Sequence, residues 1–99
     1  MFEIRRGEGG ELVLSGRFDA AQSELAERTF AAIVDGTVVD MHELLYISSL
    51  GLGILVKTQK RLRAAGAGGL RIVNPRKHVR DLFRFAGLEQ IFEIEASVE

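Results

Sequence analysis

Tyr46-Ile47-Ser48-Ser49-Leu50-Gly51-Leu52-Gly53 decides the reading of this chain, because two large apolar residues of a strand-like segment give way, through two hydroxyls, to the start of an amphipathic helix. A helix N-terminus presents unpaired backbone N–H groups and the positive end of the helix dipole, and glycine lets another molecule approach the backbone closely. Such a place suits a phosphate. A nucleotide-cradling loop would carry Lys after its last glycine and then Ser or Thr, whereas Gly53 is followed by Ile54-Leu55-Val56. The stretch therefore fits a phosphate carried on a serine rather than one gripped from ATP.

Working outward, the helix is expected from Ser49 to about Ala65, with Leu52, Leu55, Val56, Gln59 and Leu62 on its inner face and Gly66 after its end. Lys57, Lys60, Arg61 and Arg63 crowd its C-terminal half, where cations complement the dipole. Upstream, Thr37 to Met41 is a short apolar run that reads as a buried strand. Ala20 to about Val34 reads as a helix capped by Asp19, with Ala26, Phe30, Ile33 and Val34 as its stripe and Gly36 as its stop. Phe2 to Arg6 and Glu11 to Ser15 flank Gly7-Glu8-Gly9-Gly10 and predict a hairpin.

Downstream, Leu70 to Asn74 predicts a strand, and Pro75 opens a helix whose stripe is Val79, Leu82, Phe83 and Ala86 and which Gly87 ends. Ile91 to Ile94 is a last strand before a short polar tail. The fold class is α/β, one domain over residues 1–99, with a mixed β-sheet and packed helices in the order β-β-α-β-α-β-α-β.

Composition narrows the function classes. The chain has 99 residues, 46% hydrophobic and 27% charged, which is the balance of one small globular domain. With 13 basic against 14 acidic side chains it lacks the positive excess that drives nonspecific nucleic-acid binding, so nucleic acid and anionic membranes are poor partners. There is no cysteine, which removes disulfides and thiolate metal sites. His42 and His78 lie far apart in sequence and read as solvated side chains, so no metal and no cofactor is expected. No apolar run approaches a membrane span and the start Met-Phe-Glu-Ile-Arg-Arg lacks a signal-peptide core, so a cytoplasmic monomer is the expectation.

Four patterns fit together. Gly16-Arg17-Phe18-Asp19 before the first helix, Val39-Asp40 at a strand's end, Ser48-Ser49-Leu50-Gly51-Leu52, and Asn74-Pro75 followed by Val79, Leu82, Phe83 and Gly87-Leu88 resemble the STAS domain over nearly the whole chain. Among STAS proteins the resemblance is to the stand-alone anti-sigma factor antagonists. It implies a module that binds an anti-sigma factor serine kinase when unphosphorylated, freeing a sigma factor. Phosphorylation of one loop serine by that kinase then switches it off, and a PP2C-type phosphatase resets it.

The family's span from strand aspartate to phosphoserine matches Asp40 to Ser49 without a gap, which assigns the phosphate to Ser49, with Ser48 as second choice. Ser48 takes a place often held by aspartate and Leu50 one often held by serine or alanine. Asp19, Asp40, Ser48, Ser49, Leu50 and Gly51 are the implied partner-binding residues, with Asp19 and Asp40 expected side by side near the serines.

Blander roles compete for the same residues. Ser49 is also a good helix N-cap, Ser48 a loop hydrogen-bonder, and Asp40 a partner for loop N–H groups. Tyr46 is expected to be buried, and Phe18 is a candidate partner contact. An enzyme is disfavoured: there is no cysteine nucleophile, no Gly-x-Ser-x-Gly elbow, and Asp40 with Glu43 lacks an accompanying site on what reads as a surface loop. The alternative within the family is a non-switching scaffold in a signalling complex or a subunit of a lipid-transport system.

Overall fold

Residues 7–10 turn the chain so that Phe2–Arg6 (β1) and Leu12–Phe18 (β2) pair antiparallel, with Gly7 N–H donating to Glu11 O at 2.7 Å in the turn. In this computed structural model, which describes residues 1–95, β2 runs three residues past its expected end at Ser15. Gly16 permits the extension, because its φ of +85° is the left-handed conformation that side-chain-bearing residues avoid.

Asp19 caps a 3₁₀ turn over Ala20–Gln22, its Oδ1 accepting the Ala21 N–H at 3.2 Å. The first helix proper is then only Ser23–Ala31 (α1), shorter than the expected span to Val34. Ala26, Phe30 and Ile33 are buried as the periodicity predicted. Val34 lies past the helix end and is 67% exposed, so it does not belong to the stripe.

The third strand departs most from expectation. It spans Thr37–Ile47 (β3), six residues beyond Met41, and its parallel register with β2 slips twice, between Val13 and Ser15 and between Gly16 and Arg17. Each slip sets an extra β3 residue against β2, the signature of a β-bulge, which bends the strand and turns its side chains. The buried residues of β3 are Val39, Met41, Leu44 and Ile47, a spacing that drifts from two to three. Asp40 and Glu43 therefore stand in a strand, not in a surface loop.

Ser49–Ala64 forms α2 and Leu70–Val73 forms β4, with Gly66 at φ +68° terminating α2 as its sequence predicted. Lys77–Phe85 forms α3, starting two residues after Pro75. Val79 and Phe83 face inward, but Ala86 falls beyond the helix and is exposed. Glu93–Glu95 is β5, two residues later than expected, because Leu88 to Ile91 is spent in a turn. The polar tail, residues 96–99, lies outside the described residues.

The sheet order is β1-β2-β3-β4-β5, with every pair after the first parallel. Three successive parallel crossovers, each through one helix, step across the sheet in one direction, and the helices share one core with it. Phe18, Leu44, Ile47 and Ile72 form one buried cluster with Phe30, Leu55, Leu62, Val79 and Phe83 from the helices. Gln59 of α2 is 1% exposed and joins that core to the backbone: Nε2 donates to Ile91 O at 2.9 Å and Oε1 accepts the Leu70 N–H at 2.6 Å.

Since β4 pairs with β3 only over Thr37 to Asp40, the distal half of β3 has no strand on that side. There α3 takes over, and Arg76 Nε donates to His42 O at 3.0 Å.

Candidate functional site

The end of β3 delivers the two serines to the start of α2. Ser48 N–H donates to Phe18 O at 2.8 Å, tying the junction to the end of β2. Ser48 has extended backbone angles (φ −82°, ψ 167°), its Oγ accepts the Gly51 N–H at 3.1 Å, and its carbonyl accepts the Leu52 N–H at 2.9 Å. Ser48 is thus the N-cap, the role weighed for Ser49 in the sequence.

Ser49 is the first helical residue and its side chain is exposed. The N–H groups of Ser49 and Leu50 find no acceptor among the described residues, as the first turn of a helix requires. An exposed hydroxyl at the positive end of a sixteen-residue helix can accept a phosphoryl group and leave the resulting charge well placed.

The neighbours sort into two sets. Asp19 follows Phe18 directly and so stands beside the serine junction, half-buried, with its carboxylate committed to the 3₁₀ turn. Leu50 is 49% exposed and offers an apolar contact next to Ser49.

Asp40 does not join them. It pairs with Val13, six positions along the sheet from Asp19, about 20 Å at the rise of a strand. Its Oδ1 accepts the His42 N–H at 3.0 Å and meets His42 Nδ1 at 2.9 Å, so it serves its own strand. The expected Asp19–Asp40 adjacency is overturned by the length of β3.

Three further expectations change. Gly51 is buried: a Cβ there would come within 2.9 Å of Ile47 Cγ1 and 3.2 Å of the Phe18 ring, so it lets α2 sit on the core rather than admitting a partner. Phe18 is fully buried beneath it and is no partner contact. Tyr46 is half-exposed on the sheet's open face, with Arg17 stacked 4.5 Å above its ring and His78 at 6.4 Å.

Sequence reading also missed what lies beside Ser49. Along α2, Ser49, Gly53, Val56 and Lys60 fall on one face at i, i+4, i+7 and i+11, and with Ala86 and Leu88 they line a groove. That spacing was visible in the sequence, but the residues opposite it were not.

The comparisons agree with this architecture. Residues 5–99 match the STAS domain family model. BtrV of Bordetella bronchiseptica, named as an anti-sigma factor antagonist, is 36% identical over 90 residues, covering 87% of this chain and 77% of BtrV. An anti-sigma factor antagonist from Mycobacterium paratuberculosis superposes with a TM-score of 0.81 at 21% identity over 99% of this chain and 86% of that one. Unphosphorylated SpoIIAA of Bacillus does so at 0.74 and 22% identity, over 99% of this chain and 90% of its own. With the STAS family model matched over residues 5–99 and a relative 36% identical over 90 residues, this protein belongs to the STAS domain family and, within it, to the anti-sigma factor antagonists.

Proposed function

We propose that this protein binds an anti-sigma factor serine kinase in its unphosphorylated state, releasing a sigma factor, and loses that partner when Ser49 is phosphorylated. The observation that carries the proposal is the division of labour between the serines: Ser48 Oγ is engaged by Gly51 N–H, whereas Ser49 presents an exposed hydroxyl on the first helical residue. SpoIIAA, whose fold this chain shares, is itself known in unphosphorylated and phosphorylated forms.

A phosphoserine adds about −1.5 to −2 charges at neutral pH. At Ser49 the helix dipole and free first-turn N–H groups favour that charge, so the fold keeps its stability. The penalty falls on the interface, where a partner must desolvate a dianion or meet it with carboxylates. Asp19 supplies like charge from this side. A like-charge contact of about 3 kcal/mol weakens binding roughly a hundredfold, enough to act as a switch.

The reading assigns the domain a binding role, no catalytic residue and no cofactor, and a cytoplasmic site of action; no helix among the described residues is long and apolar enough to cross a membrane.

Phosphosite mapping by mass spectrometry, on protein purified from its native cells in growth and under stress, is the test. Condition-dependent phosphate on Ser49 supports the switch and phosphate on Ser48 moves it by one residue. No phosphate on either under any condition replaces the switch with a constitutive scaffold. In the purified protein, Ser49→Asp is expected to lose partner binding with a native circular dichroism spectrum, and Ser49→Ala to bind without being switched.

A further inference from the structure

The groove that begins at Ser49 has a volume of about 500 Å³ and runs between α2 and the segment after α3. Its apolar lining comes from Leu52, Val56, Ala86 and Leu88. At Gly53 a Cβ would meet nothing within 4 Å, so the helix surface there is open. Phe85, next to Ala86 in sequence, is 76% exposed. The depression is small, so what it can hold is set by its length and by the charges at its edge.

Two features identify the occupant. From Ser49 to Lys60 the α2 wall is twelve residues, about 16 Å at the helical rise, which matches three turns of a docked helix with anchors at i, i+4 and i+7. Lys57 and Lys60 stand on its rim, and neither has a carboxylate partner among the described residues.

We propose that this groove receives an acidic amphipathic helix of the protein partner, apolar face down and carboxylates toward Lys57 and Lys60. Resting on the Ser49 switch, this gives the switch a mechanism: the phosphate stands at the groove's end, where it repels the carboxylates of the docked helix's nearest turn.

The test is an ¹⁵N NMR titration of the whole chain with a synthetic fourteen-residue helix carrying Leu at i, i+4, i+7 and i+11 and Glu elsewhere on its polar face. Saturable shifts at Gly53, Val56, Lys60 and Leu88 are expected. A Lys57→Glu, Lys60→Glu double variant should weaken binding about tenfold or more, and Ser49→Asp several-fold. The same peptide with Lys in place of Glu should leave these residues unmoved.

Equal affinity for the basic peptide, indifference to the double variant, or shifts confined to another surface would overturn the proposal. So would sedimentation showing a dimer that occludes the groove, or dodecanoate shifting the same residues while the peptide does not. The peptide and lysine arms involve no phosphorylation, so their failure is separable from failure of the Ser49 switch, which phosphosite mapping decides.

Discussion

Ser48 Oγ accepts the N–H of Gly51 at 3.1 Å, which commits one of two adjacent, chemically identical side chains to the fold and leaves the other to solvent. Ser48→Ala removes that cap and is expected to cost about 1 kcal/mol. In a domain of this size the loss corresponds to a fall in Tm of about 4–8 °C by thermal circular dichroism. Ser49→Ala, which touches no cap, should stay within about 0.5 kcal/mol of wild type. Equal losses at both positions would contradict the assignment of Ser48 as N-cap.

The two glycines of the first turns of α2 should respond in opposite directions. Gly51→Ala drives a methyl toward Ile47 and the Phe18 ring and is expected to destabilise by about 1–3 kcal/mol. Gly53→Ala enters open space in a helix interior and should stabilise by about 0.5–1 kcal/mol. Urea denaturation of both variants checks the sign of each.

Gln59 holds two backbone groups from different elements, the Ile91 carbonyl and the Leu70 N–H. Gln59→Leu keeps the bulk but strands both, at an expected cost of about 2–4 kcal/mol. A change below about 1 kcal/mol in the unfolding free energy from urea denaturation would mean that those groups find other partners.

Across the open face of the sheet, Arg5 of β1 donates two hydrogen bonds of 2.9 Å to Glu43 of β3, over the intervening β2. That hydrogen bond and the charge of Arg5 hold the Glu43 carboxyl below its ordinary value of 4.5, and the Arg5 guanidinium is raised in turn. Hydrogen bonding to Lys77 likewise lowers Asp81. A carboxyl with a lowered folded-state pKa stabilises at pH above its unfolded value and loses that contribution as pH falls through the folded one. Stability should therefore hold from neutral pH to about 5 and decline below the ordinary carboxylate range. Arg5→Ala should make that acid slope shallower, as chemical denaturation at pH 3 to 7 would read out.

Much of this was legible in the chain, for identifiable reasons. The helices announced themselves through periodicity and through Gly66, and the serine junction through the change from apolar strand to amphipathic helix. Residues 42–47 were harder, because two bulges shift the buried positions to Val39, Met41, Leu44 and Ile47 and erase the alternation that marks a strand. The misplacement of Asp40 followed from that single error, since a strand that ends at Met41 could leave Asp40 near the serines, whereas one that runs on to Ile47 carries it away from them. Gly51 was misread because what it packs against, Phe18 and Ile47, is set by the pairing of β2 with β3. The groove at Ser49 needed Ala86 and Leu88, over thirty positions away.

The strands lie across the sheet in the order in which the chain encodes them. Every new strand docks beside the one just laid down, so each ordering step closes a loop of one helix's length and none has to wait for a distant segment. The domain still folds as one cooperative unit, since Ile72, Val79 and Phe83 complete the core under α2, but the low cost of each closure favours rapid folding for a mixed sheet.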